Sequence, residues 1–549
     1  VSIVVFRARE IVTLDRNCPS AEAVAVWEGK ILHVGTIVEV TDALAGKEFT
    51  FDDRFLDHVI VPGFIEAHGH LYNDGLLSQL IWCGFDDRPL PNGRIAKGSR
   101  NIAEVLERLR HDGDDTVESV VGYGFDPSFL DGQKLHRHDL DAVSTTQGVL
   151  VVNASGHLCY ANSTHMKRCG VDASTDVRGV VKDETGEPTG EFHETAMALV
   201  MNFSGAQTTS TETAVRGGAE LLRRAGVTTG SDMSLFASGR TFETYREIME
   251  SPGVPVRVTY SPNIEDMRSR MSPEALLPLM KDLRSASNER FTLGPLKWIA
   301  DGSIQGYTGA LKWPGYCGGD DHGFLILNED DVIEKITPFH NANFQIAIHT
   351  NGDDATEVVL RALERVLIAA PRPDHRHRLE HCQMASPAMM RRMAAMGVAA
   401  NIFSNHIYYW GDIHRTRTMG FDKSRRMDAA ATALREGVAI SLHSDHPVTP
   451  VSPLFTMWCA VNRVTRSGHV QGEGERITAN EALAAVTLGS AILMKRDEML
   501  GSIEVGKWAD FTVLAENPLR VDPMKIKDIA VVATVLAGEA TTPWTGEED

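Results

Sequence analysis

His68 and His70, separated by one glycine, follow the apolar run Val59-Ile60-Val61-Pro62-Gly63-Phe64-Ile65. Residues two apart on a strand point the same way, so the pair is expected to share a face. Two imidazoles converging at a strand end can chelate a divalent cation. A lone His-x-His is weak, but other residues of the same kind join it. His349 ends Phe344-Gln345-Ile346-Ala347-Ile348, His381 ends His377-Arg378-Leu379-Glu380, and Asp445 follows Ala439-Ile440-Ser441-Leu442-His443-Ser444. Each polar group caps a strand-like run. Lys297 sits inside the apolar Leu296-Lys297-Trp298-Ile299-Ala300. A lysine there needs a carboxylate partner or a route to the rim, because burying a bare ammonium is costly. Beside these five candidate ligands a third reading arises: the neutral amine reacts with CO2 to give a carbamate, an anion able to bridge two cations.

Strand-like runs that position these groups recur through the middle of the chain: Val227–Asp232, Val256–Tyr260, Leu296–Ala300, Gln345–His349, Arg378–His381, Val398–Ile402 and Ala439–His443. Helical patterns such as Ala355–Leu367 and Pro387–Met396 lie between them. This alternation predicts an α/β fold with a parallel sheet closed into a (β/α)8 TIM-like barrel, whose catalytic face is the C-terminal end of the strands. An open doubly wound sheet is the competing arrangement, but no GxGxxG opens a helix after a strand. Both ends of the chain read as short strands and predict a small β-sandwich-like domain built from residues 1–60 and 496–549. The barrel is expected over 61–80 and 211–495. Residues 81–210, with turn-rich stretches such as Arg88-Pro89-Leu90-Pro91-Asn92-Gly93, are expected as an insertion over the barrel mouth after strand 1.

Composition narrows the function classes. The 549 residues carry 54 Lys and Arg against 74 Asp and Glu, a net charge of −20. That argues against nucleic acid and anionic membrane as partners and for a soluble protein. No apolar run approaches the ~18–20 residues of a membrane span. The seven cysteines are scattered with no CxxC pair, as expected of reduced thiols in the cytoplasm. The first residues alternate like a strand and lack a signal-peptide layout. A homodimer is the expected assembly on general grounds.

PGFIEAHGH, LKWIADGS, IAIHTNGDDA, RLEHCQ and LHSDHPV together resemble the amidohydrolase superfamily, and more narrowly its amidohydrolase family 3 branch of N-substituted formamide deformylase-like proteins. The resemblance spans nearly the whole chain. It departs at Glu66, where the family usually has Asp, at Asn351 and Asp354 after His349, and at His446, where an aromatic is frequent. It implies a metal-dependent hydrolase. His68, His70 and Asp445 would hold one metal and His349 and His381 the other, with carboxylated Lys297 bridging. Two Zn2+ are the expected cofactor, and Mn2+, Fe2+ or Co2+ tolerate similar ligands. Metal-bound water would attack a non-peptide C–N bond of an amide, N-formyl or N-acyl group, and Asp445 would carry the proton to the leaving nitrogen. A deaminase, a lactonase or a C–C lyase on the same barrel is the alternative, as is a non-catalytic protein retaining the fold.

Further candidates carry bland readings beside functional ones. His157, in Ser155-Gly156-His157, is expected near the substrate, or is a hydrogen-bonded structural histidine. Asp301 and Ser303 follow Lys297 at the expected mouth, but an Asp-Gly-Ser turn also explains them. Asp353 suits a helix cap. Tyr408, Tyr409 and Trp410 are candidates to wall an apolar pocket. Glu380 is expected on the face of its strand opposite to His381, as a structural residue.

Overall fold

The computed structural model describes residues 2–113, 116–201, 210–319 and 321–541. Residues 202–209 and 542–549, inside the expected insertion and C-terminal segment, lie outside the described residues. Nine short parallel strands form the centre. Four pair in the order Phe291–Leu293, Arg257–Pro262, Val227–Leu235, Phe64–Ile65. Five pair in the order Leu296–Ile299, Ile346–Thr350, Arg378–His381, Ala399–Ile402, Ile440–Leu442. Most of these strands are buried along their whole length, as parallel strands covered on both faces must be.

The two sheets meet at Gly294-Pro295. Leu293 still pairs with Tyr260, whereas Leu296 pairs with Ile346 on the other side. Proline has no N–H to offer a ladder, so the pairing breaks there. A bridge between Asn263 and Lys297 spans the junction. Across the remaining gap, Ser444 N–H donates to Glu66 Oε1 at 3.0 Å, and His70 N–H to the His446 carbonyl at 2.7 Å.

Strands from both ends of the chain share one mixed sheet of seven, in the order Glu539–Ala540, Val531–Leu536, Phe511–Leu514, Phe49–Pro62, Ile3–Val12, Ser20–Trp27, Lys30–Gly35. Two facing sheets were expected; a single one forms. Its register shifts between Phe6 and Ala8 and again before Glu10, and such irregularities bend a sheet. One face encloses a core of Phe6, Val24, Phe55, Phe511 and Val513, and the other packs Val5 and Ala25 on Val40 of the helix Ile37–Ala43 and on Leu44, which follows it.

A six-stranded sheet between residues 81 and 193 runs Val180–Lys182, Pro188–His193, Leu158–Ala161, Gly148–Asn153, Ser119–Phe125, Ile81–Trp82. The helix Leu71–Leu77 ties the start of this region to the centre. It packs on Thr211–Arg224 through Gly75, where a Cβ would come within 1.7 Å of the Ala214 carbonyl oxygen. Among the described residues no helix is long and apolar enough to cross a membrane.

Candidate metal centre

His68 and His70 lie beyond the strand Phe64–Ile65, in a non-strand segment and an isolated bridge to Asp232, not on a strand as expected. They converge all the same. His68 Nε2 is 3.2 Å and His70 Nε2 3.4 Å from Asp445 Oδ1. Gly69 between them is required by space: a Cβ would sit 2.1 Å from the His446 ring. His70 Nδ1 donates to the Met233 carbonyl at 2.7 Å, which fixes its tautomer and leaves Nε2 free.

His381 ends its strand with φ of 65°, and Asp445 follows its own with φ of 52°. These left-handed residues turn their side chains toward the histidine pair. His381 Nδ1 is 3.8 Å from Asp445 Oδ2, and its ring is 4.7 Å from that of His68 and 4.6 Å from that of His349. Lys297 lies two strands from His381 and lines the same cavity. That cavity, of about 240 Å3, is also lined by His157, Tyr123 and Ser155.

The electrostatics suit cation binding. Burial drives His349 and His381 well below the ordinary imidazole range, so both present lone pairs. Burial works to raise the Asp445 carboxyl, but the imidazoles around it outweigh this and hold it well below the usual carboxylate range. Lys297 is pulled down to about 8, chiefly by burial, although Glu380 and Asp445 oppose it. Its amine makes no hydrogen bond or ion pair among the described residues. His381 Nδ1 and Asp445 Oδ1 are also buried without a hydrogen-bond partner. Imidazole nitrogens and a carboxylate converging with orphaned atoms fit a divalent ion of the zinc type.

Glu380 corrects an expectation. It was assigned to the face opposite His381, but in the register His349, Glu380, Asn401 and Ser441 stand in one row facing inward. Because His381 is left-handed, strict alternation fails at this strand end, and both neighbours serve the same centre. The Glu380 carboxylate accepts from His68 Nδ1 at 2.7 Å, Arg378 Nε at 2.5 Å and Asn401 Nδ2 at 2.8 Å. Burial favours its neutral form, yet Arg378 and His68 prevail and keep it well below the usual range. Glu66 braces the opposite side, accepting from the Ser444 N–H and hydroxyl; burial lifts it to about 7. His446 is held by Asp74 at 3.0 Å, and Asp74 by Arg88 at 2.7 Å. His443 was also missed: it is fully buried, with its ring 4.8 Å from that of His68.

Among the substrate-contact candidates, His157 reaches the cavity, its Nδ1 2.9 Å from Glu194 and its ring 6.0 Å from His349. Asp301 does not line it. Its buried carboxylate takes the N–H groups of Ala310, Asn351 and Gly352, and lies 3.7 Å from His349 Nε2. Tyr408 and Trp410 also lie elsewhere, on the helix Asn405–Ile413: Tyr408 packs on Phe455 and Trp458, and Trp410 donates to Asp126 Oδ2 at 2.9 Å. Asp353 accepts from Lys312 N–H at 2.9 Å and opens the helix Asp353–Ala369.

The chain is similar to known proteins over nearly its whole length. N-substituted formamide deformylase of Arthrobacter pascens is 26% identical over 97% of this chain and 97% of its own. Putative amidohydrolase YtcJ of Bacillus subtilis (strain 168) is 25% identical over 96% of this chain and 97% of its own. The crystal structure of an uncharacterized metal-dependent hydrolase from Pyrococcus horikoshii OT3 matches with a TM-score of 0.73 at 19% identity, over 95% of this chain and 99% of that one, so the α/β fold is TIM-barrel-like. The amidohydrolase family model matches residues 57–541, and the chain belongs to that family.

Proposed function

We propose that this protein is a metal-dependent hydrolase that cleaves a non-peptide C–N bond, in an amide, N-formyl or N-acyl group. The observation that carries the reading is the convergence of His68, His70 and Asp445 within 4.8 Å of one another in a cavity that also holds His349, His381 and Lys297. The parallel strands are read as one closed (β/α)8 barrel, with the sheet from the two chain ends as a separate β domain and residues 81–210 as an insertion over the mouth.

His68, His70 and Asp445 would hold one ion, and His349 and His381 a second. Bound divalent metal supplies Lewis acidity, which acidifies water and polarises a carbonyl. Lys297 is read as carboxylated: its neutral amine attacks the carbon of CO2, a proton leaves the nitrogen, and the resulting carbamate replaces a cation with an anion. Asp445 accepts the nucleophile's proton and delivers it to the leaving nitrogen. His157, oriented by Glu194 and lining the same cavity, is read as a substrate contact. Two Zn2+ suit the donor set. One observation favours a second reading: only His68, His70 and Asp445 form a compact donor group among the described residues, which suits a mononuclear deaminase without need of Lys297.

The test is hydrolysis of a panel of N-formyl and N-acyl amines by zinc-loaded protein, with metal counted per chain. Release of free amine with two ions bound is expected. One ion with an unmodified Lys297, and ammonia released from amino-heterocycles, would favour the deaminase.

A further inference from the structure

A second cavity, of about 150 Å3, lies on the other side of Ser155, which lines both. Leu158 and Ile413 give it apolar walls, and Tyr160 and Gln305 line it as well. Tyr160 is fully buried, and its hydroxyl has no hydrogen-bond partner among the described residues. Gln305 Oε1 is buried and unpartnered too. Both carboxylates that line the cavity are already engaged: Asp126 accepts from Ser128 N–H and Trp410 Nε1, each at 2.9 Å, and Glu191 accepts from Lys134 at 2.8 Å and pairs with His193 at 2.7 Å. Buried polar atoms are nearly always satisfied in folded proteins, so a donor and an acceptor left open on one cavity call for a ligand group that supplies the counterparts. A cavity of this size admits a benzene ring.

We propose that this cavity is a substrate subsite for a ring-sized apolar substituent ending in a hydroxyl, a phenol-like group, with the scissile bond in the metal cavity across Ser155. The ligand hydroxyl accepts from Tyr160 O–H and donates to Gln305 Oε1. The assignment of this group to a substrate rests on the hydrolase reading above; the phenol-binding pocket itself does not.

Binding of p-cresol and toluene to the full chain, followed by ligand-observed NMR, tests the pocket. p-Cresol should bind about 10-fold more tightly than toluene, the size of effect one satisfied buried hydrogen bond gives. The double variant Tyr160→Phe with Gln305→Leu, which removes both hydrogen-bond partners, should erase that preference. Ile413→Trp, which fills the cavity from its half-buried rim, should remove binding of both. With zinc-loaded protein, p-cresol should raise the KM for N-acetyltyramine and leave hydrolysis of N-acetylethylamine unchanged. No preference for p-cresol, or a preference that survives the double variant, would overturn the pocket's assignment. Equal slowing of both amides would overturn its role as a subsite. If neither amide is hydrolysed while the p-cresol pattern holds, the hydrolase reading fails and the phenol site stands.

Discussion

Glu380 and His68 share a 2.7 Å hydrogen bond from imidazole Nδ1 to carboxylate, buried and anchored from behind by Arg378. It sets the tautomer of His68, so that Nε2 faces Asp445 with a free lone pair. Carboxylate partners of this kind raise the basicity of a ligating histidine. Glu380→Gln should therefore weaken zinc binding about 10–100-fold while the near-isosteric side chain preserves the fold. Competition with a chromogenic chelator measures this directly. Unchanged zinc affinity would show that Glu380 serves packing alone.

His68→Ala and His70→Ala should each remove metal and activity together. Circular dichroism should remain that of the parent, since both rings lie beyond the strand end and not in the central hydrophobic core. Full activity with unchanged metal content in either variant would contradict the site.

Asp445→Asn should lower kcat by about 10²–10⁴-fold, the usual worth of a general acid–base group, with a much smaller rise in KM. A rate within a few-fold of the parent, with metal retained, would remove the proton-shuttle role. Lys297→Ala should lose one of two ions and most activity, and acetate or propionate should restore part of both by filling the vacated carbamate position. No response to either acid, with metal content already at the parent level, would argue for an uncarboxylated lysine.

A pH dependence of stability follows from a separate histidine chain below the site. His340 Nε2 donates to the Ala370 carbonyl, and His377 Nε2 donates to His340 Nδ1, both at 2.8 Å; His375 Nε2 donates to the Met396 carbonyl. Each second nitrogen of His377 and His375 accepts a backbone N–H, so all three rings are neutral. Burial lowers all three from the ordinary value of 6.5, His377 well below it. The unfolded chain thus binds protons that the folded chain refuses. Their stabilisation is complete above pH 6.5 and is lost as pH falls below it. The melting temperature of metal-free protein should drop between pH 7 and pH 5; a flat profile would contradict the neutral chain.

The strand Ile346–Thr350 was legible because its apolar run Ile346-Ala347-Ile348 stops at His349, whereas Arg378–His381 was placed as the next strand–helix unit although Leu379 is its one apolar residue. The split between Leu293 and Leu296 was not read, although Gly294-Pro295 marks it. Glu380 was misplaced because period-two alternation holds only while φ stays negative, and nothing local in RLEHCQ announces a left-handed His381. Tyr408 and Trp410 were expected to wall the pocket, but Asn405–Ile413 is a helix whose periodicity carries Trp410 inward to Asp126. The second cavity was invisible for a different reason: Tyr160, Gln305 and Ile413 come from three distant segments that only the folded chain brings together.

Metal removal and restoration tests the central claim most directly. Protein dialysed against a chelator should lose hydrolysis of its best N-acyl amine and regain it on titration with Zn2+, activity rising in step with metal bound and saturating at whole ions per chain. His68→Ala should fail to regain it. Metal-free protein that hydrolyses the same amide at the parent rate would contradict the account.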